Sequence, residues 1–328
     1  MREYEISVLD QYHIEVNSTR KIRGAVLCGT NQGWLLLKEA VLSKKRVPML
    51  CELHTHLEEN GYGLSDCPVR NKEGEAISTS EDGTQYMLKK WYLGKECDIR
   101  KNHELQEALK NLAGLHNGMQ EIFELGDFPL QNLSDEYLRH NRELKKVRSF
   151  IRGKVGKGEF ETAFLNCFDP MYEWAQSVYD QFMNSSYEKL YQKALKTGSV
   201  THGDYNYHNL ILTEDGIATT NFEHFSVDIQ VSDLYYFLRK ALEKHQWDSY
   251  LGDHMLNAYN AVKPLNREEL QYIGLRLAYP EKFWKLANSY YRSNKAWIPV
   301  KNLEKLQTAI AQTEEKRQFL QNIFAFHL

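Results

Sequence analysis

One strand-like island, Ser199 to Phe225, interrupts a second half whose apolar residues otherwise recur at helical spacing. It reads His202-Gly203-Asp204-Tyr205-Asn206-Tyr207-His208-Asn209 after an apolar approach at Val200. Leu210-Ile211-Leu212, a Glu214-Asp215-Gly216 turn and a second short strand ending in Thr219-Thr220-Asn221-Phe222-Glu223 follow. This is an H-G-D-x-x-x-x-N loop leading into a hairpin. Phosphoryl transfer needs a carboxylate to orient or deprotonate the attacking hydroxyl and, a fixed short distance away, a neutral oxygen ligand for the nucleotide's magnesium. Asp204 and Asn209 have those chemistries at that spacing. The competing reading, a turn with a capping Asp, does not explain the hairpin that follows at once.

The chain before the island changes period once. His13 to Val16, Ile22 to Cys28 and Trp34 to Leu37 read as a strand meander, with a turn at Gly29 to Gly33. Pro48 opens a helix to about Asn60, with Leu50, Leu53 and Leu57 at helical spacing and Gly61 as the stop. Glu81-Asp82-Gly83 is a hairpin turn between Ala76 to Ser78 and Gln85 to Leu88. From about Glu96 the pattern is helical: His103 to Phe123, Asp135 to Gly153, Met171 to Leu195, and from Asp233 onward. The expected fold class is α+β: a small N-terminal antiparallel-sheet lobe with one helix, residues 1–93, and a larger helical lobe, residues 94–328, carrying the loop. No Gly/Ser linker separates them.

Composition narrows the function. Forty-one Lys and Arg against forty-four Asp and Glu leave a formal charge of −3, so no field of one sign advertises a nucleic-acid partner. Five scattered cysteines without a C-x-x-C pair argue against a disulfide framework or zinc site and for a reducing compartment. The N-terminus lacks the apolar core of a signal peptide, and no run approaches the ~18 apolar residues of a membrane span. Synthesis in the cytoplasm is the expectation.

With those motifs in view, the chain resembles the aminoglycoside phosphotransferase and choline kinase superfamily, which has the two-lobed protein kinase-like fold. That resemblance implies Asp204 as the catalytic base, Asn209 on the metal, and His202 and Asp233 as structural support of the loop. It also implies a metal-binding Asp where this chain has Asn221, with Glu223 two residues on as a substitute ligand. Lys38, ending the Trp34 to Leu37 strand, would contact nucleotide phosphates, and Glu52 on the next helix is the place to seek its ion-pair partner. Met87 to Gly94 fits the strand and hinge where a base would dock, making Met87 and Lys89 nucleotide-side residues. The glycine-rich phosphate loop is missing: the corresponding turn falls near Asn17-Ser18-Thr19-Arg20. The implied cofactors are ATP and magnesium. If exchanging Asp for Asn weakens transition-state stabilisation by roughly 4 kcal/mol, the rate falls by about three decades.

A narrower likeness runs over most of the chain. Asn221 to Tyr235, Phe237 to Lys240, Tyr279 to Tyr291 and Lys295 to Pro299, with Trp91, Gly94 and Leu112 to His116, resemble the CotS-type spore-coat proteins of endospore formers. This implies a coat component or assembly factor, made in the mother cell and placed in the spore coat, whose partners are other coat proteins. Reduced or absent phosphotransfer is the first expectation. The alternative is an active ATP- and magnesium-dependent kinase of a small hydroxyl-bearing metabolite, a sugar or a coat protein. Cys51, His54 and His56 read as isolated helix residues, His208 as either a phosphate contact or a packing residue, and Lys145 to Arg152 as a solvated basic helix face.

Overall fold

The computed structural model describes residues 6–22, 24–123, 132–293 and 300–326; residues 1–5 of the N-terminus and the 295–299 stretch read above lie outside them. After a short 3-10 turn at Val8–Gln11 come β1 (Val16–Ile22), β2 (Ala25–Thr30), β3 (Gly33–Glu39), α1 (Arg46–Glu59), β4 (Ser78–Thr79), β5 (Gln85–Lys90), β6 (Lys95–Glu96) and α2 (Asn102–Gly118). Three helices follow: α3 (Leu133–Gly153), α4 (Glu159–Met183) and α5 (Tyr187–Lys196). The island supplies β7 (Val200–Thr201), β8 (Leu210–Thr213), β9 (Gly216–Thr219) and β10 (Ser226–Val227). The chain then continues as α6 (Val231–Leu242), α7 (Ser249–Asn260), α8 (Arg267–Ala278), α9 (Glu281–Arg292), α10 (Val300–Ala311) and α11 (Thr313–Phe324).

These elements form two compact units: Met1–Phe128 with Ala194–Phe237 and Ala258–Lys263, and Pro129–Lys193 with Leu238–Asn257 and Pro264–Leu328. The first holds an antiparallel sheet in the order β1-β2-β3-β5-β4, and the small sheets β6-β8-β9 and β10-β7. Side-chain alternation gives the large sheet two different faces. Val26, Cys28, Leu35, Leu37 and Leu88 bury one against Val8, Leu9 and Tyr12. The other carries Ala25, Leu27 and Leu36 with Ile22 and Trp91 packed on them. Lys38 pairs with Met87 and Leu36 with Lys89 across β3 and β5, so both lysines share this second face. The second unit is helical, with Tyr137, Phe164, Phe168, Phe182, Phe283 and Phe319 fully buried or nearly so.

Several expectations need correction, beginning with the strands read at His13 to Val16 and Ile22 to Cys28, which give way to β1 and β2. Residues 17–20 are not a turn but the middle of β1, whose Ile22 pairs with Ala25 at the start of β2 across the connecting turn. The run is polar because β1 is an edge strand whose side chains are mostly exposed. Gly24, at φ 80°, supplies the left-handed position of that turn. Helix α4 begins at Glu159, not Met171, and runs through Pro170. Proline removes the hydrogen bond to the carbonyl of Asn166, but both residues are exposed, so water can satisfy that oxygen.

Candidate functional site

The loop is set by Asp233 near the start of α6. Its carboxylate accepts from the His202 amide at 2.7 Å and the Gly203 amide at 3.0 Å, and lies 3.2 Å from His116 Nε2. The His202 ring is fixed in one tautomer: Nδ1 accepts from the Asp204 amide, so Nε2 carries the proton and donates to the Thr220 carbonyl at 3.1 Å. Burial lowers the His202 pKa. Gly203 sits at φ 80°, and a Cβ there would lie 2.1 Å from the His224 carbonyl oxygen. Gly203→Ala is therefore expected to cost at least about 2 kcal/mol in denaturant unfolding. Unchanged stability would show that the loop can relax away from His224.

Around this support the polar side chains form a directional chain. Lys38 Nζ donates to Asn221 Oδ1 at 2.9 Å, Asn221 Nδ2 donates to Asn209 Oδ1 at 2.7 Å, and Asn209 Nδ2 donates to Asp204 Oδ2 at 3.0 Å. An ammonium only donates and a carboxylate only accepts, so the two ends dictate the orientation of both amides. Asn206 Nδ2 holds the other Asp204 oxygen at 2.9 Å. Asn221 is in the left-handed region, φ 66°, which asparagine tolerates better than most residues. Beneath it lies a buried triad. Lys89, 1% exposed, donates to Glu223 Oε1 at 2.7 Å and to Asp66 Oδ2 at 2.9 Å, and Asp66 Oδ2 also accepts the Asn221 amide at 2.9 Å. Lys38 adds a longer contact to Glu223, 3.6 Å.

These contacts sort the ionisation states. Burial alone would raise the Glu223 carboxyl, but Lys89 and Lys38 reverse this and hold it low. Burial raises Asp66, only partly offset by Lys89, so Asp66 is the easier of the two to protonate. Lys89 stays cationic: burial would lower it, but Asp66 and Glu223 together raise it. Beside them His54 is buried, with Nδ1 2.8 Å from Ser65 Oγ. Burial, helped by the Lys89 charge, pushes it down to about 3. An unfolded His titrates near 6.5, so its stabilising contribution is full above that pH and is lost as pH falls toward 3, at roughly 1.4 kcal/mol per pH unit. In denaturant unfolding between pH 6 and 4, His54→Asn is expected to lower the slope of stability against pH by about one proton relative to the native protein; an unchanged slope would show that His54 does not contribute it.

The chain thus brings together Lys38, Asp204, Asn209, Asn221 and Glu223, with His202 and Asp233 as support. Met87 and Lys89 are buried in the sheet face, and Glu52 is exposed on α1. The acid beside Lys38 is Glu223. Asp66 and Asn206 were not singled out in the sequence; Asp66 lies in an irregular stretch before Cys67-Pro68 that carries no motif. His208 pairs through Nδ1 with Glu96.

Magnesium prefers charged or free carbonyl oxygens. Here both amide oxygens, of Asn209 and Asn221, already accept N–H donors, and Glu223 Oε1 is taken by Lys89. This donor set, as arranged, does not fit a magnesium ion.

The fold is the kinase-like one of the aminoglycoside phosphotransferases. The chain has the fold of an aminoglycoside phosphotransferase from Alicyclobacillus acidocaldarius subsp. acidocaldarius DSM 446, at TM-score 0.88 and 17% identity over 98% of this chain and 95% of that one. The amicoumacin kinase hAmiN, solved in complex with AMP-PNP, Ca2+ and Ami, is similar at TM-score 0.63 and 12% identity, over 97% and 94%. Within that class the chain belongs to the family described as "Spore coat putative kinase YutH", whose model matches residues 5–323. It is 24% identical to spore coat protein S of Bacillus subtilis (strain 168), over 95% of this chain and 90% of that protein. Membership places it among the spore coat proteins.

Proposed function

We propose that this protein serves the spore coat as a component or assembly factor on a kinase-like scaffold that does not turn over nucleotide. The supporting observation is the closed chain Lys38–Asn221–Asn209–Asp204, in which the groups that would hold metal and phosphate bond to one another. With Asp at 221, a carboxylate oxygen would face the Asn209 carbonyl oxygen, two acceptors in contact that need a cation between them. Asn221 removes that need. On this reading, residues 1–93 are the inherited nucleotide-side lobe and 94–328 the helical lobe. The chain is made in the mother cell, and its partners are other coat proteins.

The second reading, an ATP- and magnesium-dependent kinase with Asp204 as base, draws on one observation: Asp204 is partly exposed, with both oxygens aligned by Asn206 and Asn209. Under it Lys38 binds phosphates, Asn209, Asn221 and Glu223 hold the metal, and a small-molecule or coat-protein acceptor receives the phosphoryl group. The two separate in an assay of labelled ATP with extracts of sporulating cells. The first expects equal background labelling from the native protein and Asp204→Ala. Transfer that disappears in Asp204→Ala would overturn it.

A further inference from the structure

The helical unit contains a cavity of about 340 Å³ that shares no residue with the loop site. Its walls come from α4, the end of α6 and the residues after it, the start of α9, α10 and α11. The volume is near the lower end for small-molecule sites, room for a ligand of one or two rings. Two indoles, Trp174 and Trp247, form part of the wall, and between them stands Lys316. Lys316 Nζ lies 5.5 Å from the Trp174 ring centre and 5.2 Å from that of Trp247, and it donates to the Tyr279 carbonyl at 3.1 Å. One of its three N–H donors is therefore satisfied, and two remain.

The charges around it are unbalanced. The acids on this wall are engaged elsewhere: Glu243 pairs with Arg239 at 2.8 Å and Lys282 at 3.1 Å, and Glu281 with Lys285 at 3.1 Å. Glu304 is exposed on α10, where Lys301 and Lys305 also line the cavity. Among the described residues no carboxylate comes within 4 Å of Lys316. Burial outweighs the more distant charges of Glu243 and Glu281 and brings the Lys316 ammonium down to about 7. A half-buried lysine in an aromatic-walled cavity, with spare donors and no counter-ion, lacks one specific thing.

We propose that this cavity binds a small organic anion, its negatively charged head on Lys316 and a ring-sized apolar body along Trp174 and Trp247. A charged head would satisfy the open donors at low dielectric, where a charge-assisted hydrogen bond is strong, and the aromatic part of the lining would take the apolar body. The site is independent of nucleotide chemistry and would give the helical unit a ligand of its own.

The test uses the full-length protein with three probes of similar size: phenyl phosphate, phenylacetate and neutral 2-phenylethanol, titrated calorimetrically. Both anions are expected to saturate one site and to bind about tenfold or more tightly than the alcohol. Their order reports whether the site prefers a phosphate or a carboxylate head. In Lys316→Met, which keeps the side-chain length, the preference for anions is expected to fall to about unity. Thr308→Trp, an exposed lining position on α10, is expected to block all three without disturbing the fold. Equal affinity for alcohol and anions overturns the proposal. So does undiminished anion binding in either variant, or no saturation by either anion up to about 10 mM. Should Lys316→Met fail to fold, Thr308→Trp decides alone.

Discussion

Lys89→Met is expected to lower the stability of the sheet-containing unit by about 3–5 kcal/mol, the cost of removing one partner from a buried ion network. In a chain of this size that corresponds to a fall in Tm of roughly 6–15 °C. The loss has little to do with packing, since methionine keeps most of the stem. It arises because Asp66 and Glu223, at 1% and 8% exposure, are left facing each other across the space the ammonium held. The deficit should be largest near neutral pH, where both carboxyls are ionised, and should shrink in acid as Asp66 takes up a proton. Lys89→Met combined with Asp66→Asn should recover part of it, because one of the two stranded charges is gone. A loss under about 1 kcal/mol in the single variant would mean that the triad is solvated and that Lys89 is not its keystone.

The second large effect is expected from Asn221→Asp. The native site is closed by amides that point donor to acceptor from Lys38 to Asp204. Placing a carboxylate at 221 keeps the Lys38 contact but sets an anion against Asn209 Oδ1. Without a divalent cation the variant should therefore be less stable than the native protein, by about 1–2 kcal/mol. With magnesium and nucleotide it should regain this and more, because the charged oxygen that magnesium favours is restored. The sign of the magnesium effect is the informative part. Native protein is expected to be indifferent to the ion and the variant to depend on it. A variant equally stable with and without the ion would show that the orientation of the amides is not what Asn221 contributes.

How much of this could be read in advance depended on whether a residue's role is local. The H-G-D-x-x-x-x-N loop and the hairpin after it were legible because short-range spacing sets their geometry, whereas Asp233, which holds the loop's amides from 30 residues away, was legible only through the family resemblance. Asn221 ends the hairpin of the same motif, but Lys38, 183 residues away, was placed in the site only by the resemblance. Lys89, by contrast, alternates with Met87 on a strand and looks like any strand-end lysine; only the pairing of β5 with β3 and the long-range approach of Asp66 and Glu223 make it a buried cation. Asp66 has no local signal at all. The ion-pair role considered for Glu52 illustrates the same limit: helical spacing puts it on α1, but which acid approaches Lys38 is a tertiary matter, and the neighbour is Glu223. The turn expected at 17–20 failed because polarity alone does not distinguish an exposed edge strand from a turn, whereas Gly24 at positive φ does.

The measurement that bears most directly on a metal-free, non-catalytic site is thermal unfolding of the native protein with ATP, with and without magnesium, beside Asn221→Asp. A ligand at about a hundred times its dissociation constant adds roughly 2.7 kcal/mol, a shift of several degrees. The native protein is expected to show no magnesium-dependent shift, and Asn221→Asp a shift of that size. A magnesium-dependent stabilisation of the native protein by ATP would contradict it, and would mean that the amides of Asn209 and Asn221 turn to receive the metal.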